Sequence, residues 1–258
     1  MITSFDKLFK MRLLLLITCF FFFNHSGAQS LSQDSKYPVD SGYFSSFDGT
    51  KIYYEVRGMG KPVYLVHGFI VDGNSWTRTA LYNDLLNNGY KVIILDMRGN
   101  GKSGKPHDST AYDHDAEAKD IMLLMNLFKT TEYSVVGYSR GSIITARLLV
   151  LDKRIKTAVL GGMGSDFTNP YWPRRIMFYR ALMGDSVPGL KGMVEYVQHQ
   201  KLDQLALAYL QRSQPSTSKK ELSKINQPVL VISGTQDADN GSAGKLAKLL
   251  PNSTLGSY

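Results

Sequence analysis

Two hydrophobic periods divide the chain. Residues 42–47 and 51–57 alternate apolar and polar positions around Asp48-Gly49, the pattern of a β-hairpin with one solvated face. The runs at 63–66, 91–96, 133–138, 156–160 and 228–233 are instead apolar or β-branched and bounded by Gly or polar residues. They predict parallel strands buried on both faces. Between them the spacing becomes helical, at 76–88, at Ile121, Leu124, Met125 and Phe128, at 141–151, and at Ala243, Leu246, Ala247 and Leu250. Strand–helix alternation with an antiparallel hairpin at one edge predicts an α/β fold with a doubly wound, mostly parallel sheet. The alternation stops over 161–227, a stretch rich in Met, Tyr and Arg with a helical pattern over 193–210. That segment is expected to form a helical cap inserted into the core.

The first residues follow neither period. Lys7, Lys10 and Arg12 precede an apolar run over 13–23, shorter than the roughly 20 residues that a spanning helix needs. Ser26-Gly27-Ala28 then supplies small residues. Residues 1–28 are expected to be a secretory signal peptide cleaved after Ala28. The product would be secreted or periplasmic, with no stable membrane span after cleavage. Polar residues 29–40 read as a flexible lead-in, and 41–160 and 228–258 as the two parts of the core.

Charge and cysteine content narrow the chemistry. Thirty Lys and Arg against 22 Asp and Glu give +8, but the basic residues are scattered, without the aromatic-interleaved stripe of a nucleic-acid surface. Nucleic acid is therefore not expected as a partner. The single cysteine allows no internal disulfide, and no metal-ligand spacing such as H-E-x-x-H occurs. Neither metal nor cofactor is expected.

Gly137-Tyr138-Ser139-Arg140-Gly141 fits G-x-S-x-G between a strand pattern and a helix pattern. The spacing predicts a sharp strand-to-helix turn that Gly137 and Gly141 permit, with Ser139 at its tip as a nucleophile. The helix N-terminus there offers free N–H groups and positive potential to a developing oxyanion. Upstream, the strand at 63–66 ends in His67-Gly68-Phe69. The Phe69 and Arg140 N–H groups together would form an oxyanion hole. His67 directly precedes this donor loop and is expected to organise its backbone rather than act as a base. The glycine-rich stretch 96–104 lacks the full phosphate-loop spacing and reads as a structural turn.

With His67-Gly68-Phe69, the 96–103 turn, the elbow at 137–141 and Gly234-Thr235-Gln236-Asp237 after a late strand, the chain resembles the α/β-hydrolase superfamily, in its subgroup with a helical cap. The resemblance implies Ser139 as nucleophile, Asp237 as the acid that orients the base, and Phe69 with Arg140 as oxyanion donors. It implies a small-molecule ester or related acyl substrate, cleaved through an acyl-enzyme. A serine at the elbow, not an aspartate, argues against the dehalogenase and epoxide-hydrolase members. In that superfamily the catalytic histidine follows the last strand, and no histidine follows Asp237 here. The expectation is therefore a C-terminally incomplete hydrolase of impaired activity. Two alternatives are a non-catalytic binding module on the same fold, and recruitment of another histidine, His199 first, whereas His114, beside Asp113 and Asp115, is expected to be solvated.

Overall fold

The computed structural model describes residues 37–237 and 239–257. The expected signal peptide, its cleavage point and most of the lead-in lie outside these residues. Eight strands, β1 (Asp40–Ser45), β2 (Lys51–Arg57), β3 (Pro62–Val66), β4 (Lys91–Leu95), β5 (Tyr133–Tyr138), β6 (Ile155–Gly161), β7 (Val229–Ser233) and β8 (Ser253–Ser257), form one sheet. Their spatial order is β1-β2-β4-β3-β5-β6-β7-β8. The β1/β2 and β2/β4 pairings are antiparallel, and the remaining ones parallel. This is the doubly wound α/β sheet with an antiparallel N-terminal hairpin that the two hydrophobic periods predict. β1 opens at Asp40, the last residue read from sequence as lead-in.

Helices α1 (Ala80–Asn87), α2 (Ala116–Leu127), α3 (Arg140–Leu151) and α8 (Ala243–Leu249) accompany the sheet. Strand alternation sends Val63, Leu65, Val92 and Ile94 to one face, where they meet Trp76, Tyr82 and Leu86. Tyr64, Val66, Ile93 and Leu95 face the other way, into a core with Ile121, Leu124, Ile143 and Ile144. Each fully buried aliphatic side chain contributes about 1.5–3 kcal/mol.

Two helices differ from the sequence reading, each for a local reason. The helix expected over 76–88 begins as a 3-10 turn, Gly73–Arg78, and restarts as α1 because the Thr79 hydroxyl accepts the Tyr82 N–H at 3.3 Å and caps a new helix. The pattern over 193–210 is broken into α5 (Lys191–His199) and α6 (Gln204–Arg212). Lys201 between them takes a left-handed φ of 53°, and Asp203 caps α6 through the Ala206 N–H at 3.0 Å.

With α4 (Pro173–Leu182) and α7 (Lys219–Leu222), these helices fill the segment between β6 and β7. Helices α4, α5 and α6 share an apolar cluster including Leu182, Val197, Leu207 and Leu210, against which Phe69 and Ile70 of the loop after β3 pack. No helix among the described residues is long and apolar enough to cross a membrane.

β4 lies on one side of β3 and β5 on the other. The chain therefore reverses its direction of travel across the sheet at β3. Open parallel sheets bind ligands outside the carboxyl ends of the strands at such a point. The register Val66↔Gly137 brings the two strand ends level there, with His67-Gly68-Phe69 leaving one and Ser139 the other.

Candidate active site

Ser139 sits between β5 and α3 with φ 53° and ψ −120°, a backbone conformation that L residues avoid. The turn is over-determined by its surroundings. The Ser139 N–H donates to the Gly161 carbonyl at 2.7 Å, and the Ser142 N–H donates to the Ser139 carbonyl at 2.9 Å. The Ser142 hydroxyl is within 3.0 Å of the Gly137 carbonyl and 2.8 Å of the Gly161 carbonyl. Both elbow glycines are required by close approach. A Cβ on Gly137 would overlap the Gly141 carbonyl and the Thr145 hydroxyl, and one on Gly141 would overlap the Val66 carbonyl and stand 2.7 Å from that of His67. Because backbone carbonyls of a central strand cannot yield, Gly141→Ala is expected to destabilise the fold by about 3 kcal/mol. Thermal unfolding would show it as a fall of roughly 10 °C; an unchanged midpoint would contradict the close packing of α3 on β3.

The loop after β3 lies against this turn: a Cβ on Gly68 would be 3.6 Å from the Ser139 Cβ. Ile70 follows with φ 54°, a strained value for a β-branched residue. His67 is fully enclosed and holds the loop. Its Nδ1–H donates to the Gly68 carbonyl at 2.8 Å, and Nε2 accepts the Met97 N–H at 3.1 Å. Burial lowers the ring's pKa below its ordinary value, which fits the neutral tautomer that this geometry requires. Asp96 organises the turn after β4, accepting the Gly73 N–H at 2.8 Å and the Lys102 N–H at 2.7 Å. The glycine-rich stretch is thus a turn built around a carboxylate.

Arg140 carries a side-chain role that the motif does not reveal. Its guanidinium, 3% exposed, meets Glu117 in the first turn of α2 with two parallel hydrogen bonds of 2.5 Å, and donates to the Leu210 carbonyl at 3.0 Å. Leu210 lies in the last turn of α6, where carbonyls lack intrahelical donors. One side chain therefore ties the elbow helix to α2 and to the segment above it. Its backbone N–H opens α3, a position that also lacks an intrahelical acceptor. Glu117 by itself resembles any first-turn acid, so the sequence held no signal for this pair.

Asp237 lies half-buried in the turn after β7, its N–H donating to the Gly234 carbonyl at 3.0 Å. Burial raises its pKa, Asp239 raises it further, and Arg174 opposes both. The loop is pinned to the one after β6, with the Asn240 amide donating to the Gly162 carbonyl at 3.3 Å. Asp237 and Ser139 thus leave β7 and β5, on either side of β6. No hydrogen bond among the described residues joins them directly. The histidine rings lie elsewhere: His107 is 2.9 Å from Asp203, His114 is exposed, and exposed His199 meets the Gln200 amide at 3.4 Å. Among the described residues, no histidine bonds to Ser139 or Asp237.

Comparison with known proteins agrees with this architecture. The profile of the alpha/beta hydrolase fold matches residues 61–191, just over half of the chain. A non-heme chloroperoxidase from Streptomyces lividans is 29% identical, over 84% of this chain and 91% of its own length. A putative non-heme chloroperoxidase from Synechocystis is 41% identical, over 42% of this chain and 39% of its own. The chain thus matches less than half the length of the Synechocystis relative. Among solved structures, an esterase from Exiguobacterium antarcticum superposes with a TM-score of 0.66 at 25% identity, over 84% of this chain and 90% of that one. An esterase from a Rhodococcus species gives 0.63 at 26%, over 84% and 90%. The sheet order, the serine on its strained strand-to-helix turn and the family match lead to one assignment: the chain is a member of the α/β-hydrolase superfamily.

Proposed function

We propose that the protein is a serine hydrolase that cleaves carboxylic esters through an acyl-enzyme on Ser139. The observation that carries this reading is the elbow: a serine held at φ 53°, beside the Gly68 loop and at the start of a helix. The likeness to two esterase structures supports the reaction class. The Ser139 oxygen attacks the ester carbonyl, whose π electrons move onto oxygen. Phe69 and Arg140 N–H groups stabilise that oxyanion, and its collapse expels the alcohol; water then releases the acid. Asp237 is assigned to orient a base; the serine proton passes to solvent water, which returns one to the departing alkoxide. No imidazole among the described residues bonds to Ser139, so slow turnover is part of the proposal. The helices between β6 and β7 act as a cap over the cleft.

The histidine placement also favours a second reading, a non-catalytic binding module on the same fold. A fluorophosphonate probe followed by peptide mapping separates the two. Label on Ser139 supports the hydrolase; a folded chain that takes no label supports the binding module.

A further inference from the structure

The two residues assigned as oxyanion donors both reach the helices between β6 and β7, but they depend on them unequally. Arg140 does so through its guanidinium, which donates to the Leu210 carbonyl at 3.0 Å. Its backbone is fixed independently, because hydrogen bonds of the Ser139 and Ser142 N–H groups pin the elbow. Residues 69–71 have no such frame. No hydrogen bond among the described residues reaches their backbone, whereas Gly68 before them and Asp72 after them are both held. Ile70 nonetheless keeps a left-handed φ of 54°, which a β-branched residue does only where its surroundings dictate it.

Without hydrogen bonds, packing must dictate it, and the packing comes from α4, α5 and α6. Phe69 and Ile70 lie against the apolar cluster of Leu182, Val197, Leu207 and Leu210. The Phe69 ring meets the Phe178 ring of α4 edge to face, at 5.9 Å between centroids and 73° between planes. Phe178 is itself steadied by the Arg174 guanidinium one turn earlier on α4, 5.1 Å from its centroid. We propose that Phe178 is a positioning residue for ester hydrolysis: its ring sets the backbone of residues 69–71, and with it the Phe69 N–H that stabilises the oxyanion. One half of the oxyanion hole is then built by α4 and the other by the sheet. The role of the Phe69 N–H rests on the ester-hydrolase reading; the coupling of Phe178 to the loop does not.

The test makes two measurements on the full chain. A fluorophosphonate bonds its phosphorus to the Ser139 oxygen and expels fluoride, the serine proton passing to water, while negative charge grows on the phosphoryl oxygen. The limiting labelling rate therefore reads the oxyanion donors, and the half-saturating concentration reads binding. Phe178→Ala is expected to lower the limiting rate about tenfold and to move half-saturation by less than about twofold. Phe69→Ala keeps the backbone N–H but removes the same ring contact, so it should lose as much, and the double variant should lose no more than either single one. In the second measurement, 15N relaxation, the order parameters of residues 69–71 should fall from about 0.85 to below about 0.6 in Phe178→Ala, while those of residues 139–142 hold. Circular dichroism melts establish that each variant folds, and Phe178→Leu serves both measurements if the alanine chain does not.

An unchanged limiting rate, a loss confined to half-saturation, additive losses in the double variant, or residues 69–71 as ordered as in the parent overturns the inference. Any of these in a chain labelled at Ser139 defeats the inference alone. A parent that takes no label defeats the hydrolase reading, and the relaxation of residues 69–71 then decides by itself whether Phe178 positions the loop.

Discussion

A chain carrying Ser139→Ala is expected to take no fluorophosphonate label and to lose the part of nitrophenolate release from p-nitrophenyl acetate that passes through the acyl-enzyme. The proposed covalent route runs through a single oxygen. Removing it leaves only the proposed oxyanion donors and the cleft, which bind but do not form the acyl intermediate. The half-buried hydroxyl lies on a turn pinned by backbone hydrogen bonds to Gly161 and Ser142, so the alanine chain should fold as the parent does. Label or acyl-enzyme formation that survives in the alanine chain would remove Ser139 from the nucleophile's role. The same position makes a second, opposite expectation about stability. Glycine tolerates φ 53° and ψ −120°, whereas serine is strained there, so Ser139→Gly should gain about 1 kcal/mol while losing activity. Urea unfolding of the three chains measures the trade directly.

Glu117→Ala is expected to destabilise the fold by about 3–5 kcal/mol, the cost of leaving the buried Arg140 guanidinium without its counter-charge. The Arg140 Nε already lacks an acceptor among the described residues, so the site has little reserve. Urea midpoints of Glu117→Ala, Arg140→Met, and the pair Glu117→Leu with Arg140→Met complete the experiment. The double replacement should be far less damaging than the sum of the singles, because two apolar groups need no partner. Additive losses would show that the two side chains act separately. In the double variant the Leu210 carbonyl loses its donor as well, so α6 should become more open to proteolysis even where global stability returns.

What could be read from the chain follows from how far each interaction reaches along it. Strands β3 to β7 announce themselves because burial on both faces forces apolar runs, and the elbow does so because its glycines are needed within four residues of each other. His67 was legible for the same reason: the ring serves the peptide that follows it. The break at Lys201 hid because the apolar spacing of Met193, Val197 and Leu207 continues across it, while the decisive signal, Asp203 as a cap, is a single polar residue. Glu117 and Arg174 were invisible for a different reason. Their partners are Arg140 on another helix and the loop after β7, and neither pairing imposes a pattern on the residues around it.

The level ends of β3 and β5 also set an order of events. Between those two strands the chain must complete α1, β4 and α2 before the Gly68 loop and Ser139 become neighbours. Contacts of such sequence separation form late, after the loop-closure entropy has been met. If Ser139 is the nucleophile proposed, it therefore cannot become reactive in a newly made chain until the middle of the sheet has closed. The time at which Ser139 first accepts a probe during refolding would mark that closure, separating it from the earlier appearance of helices.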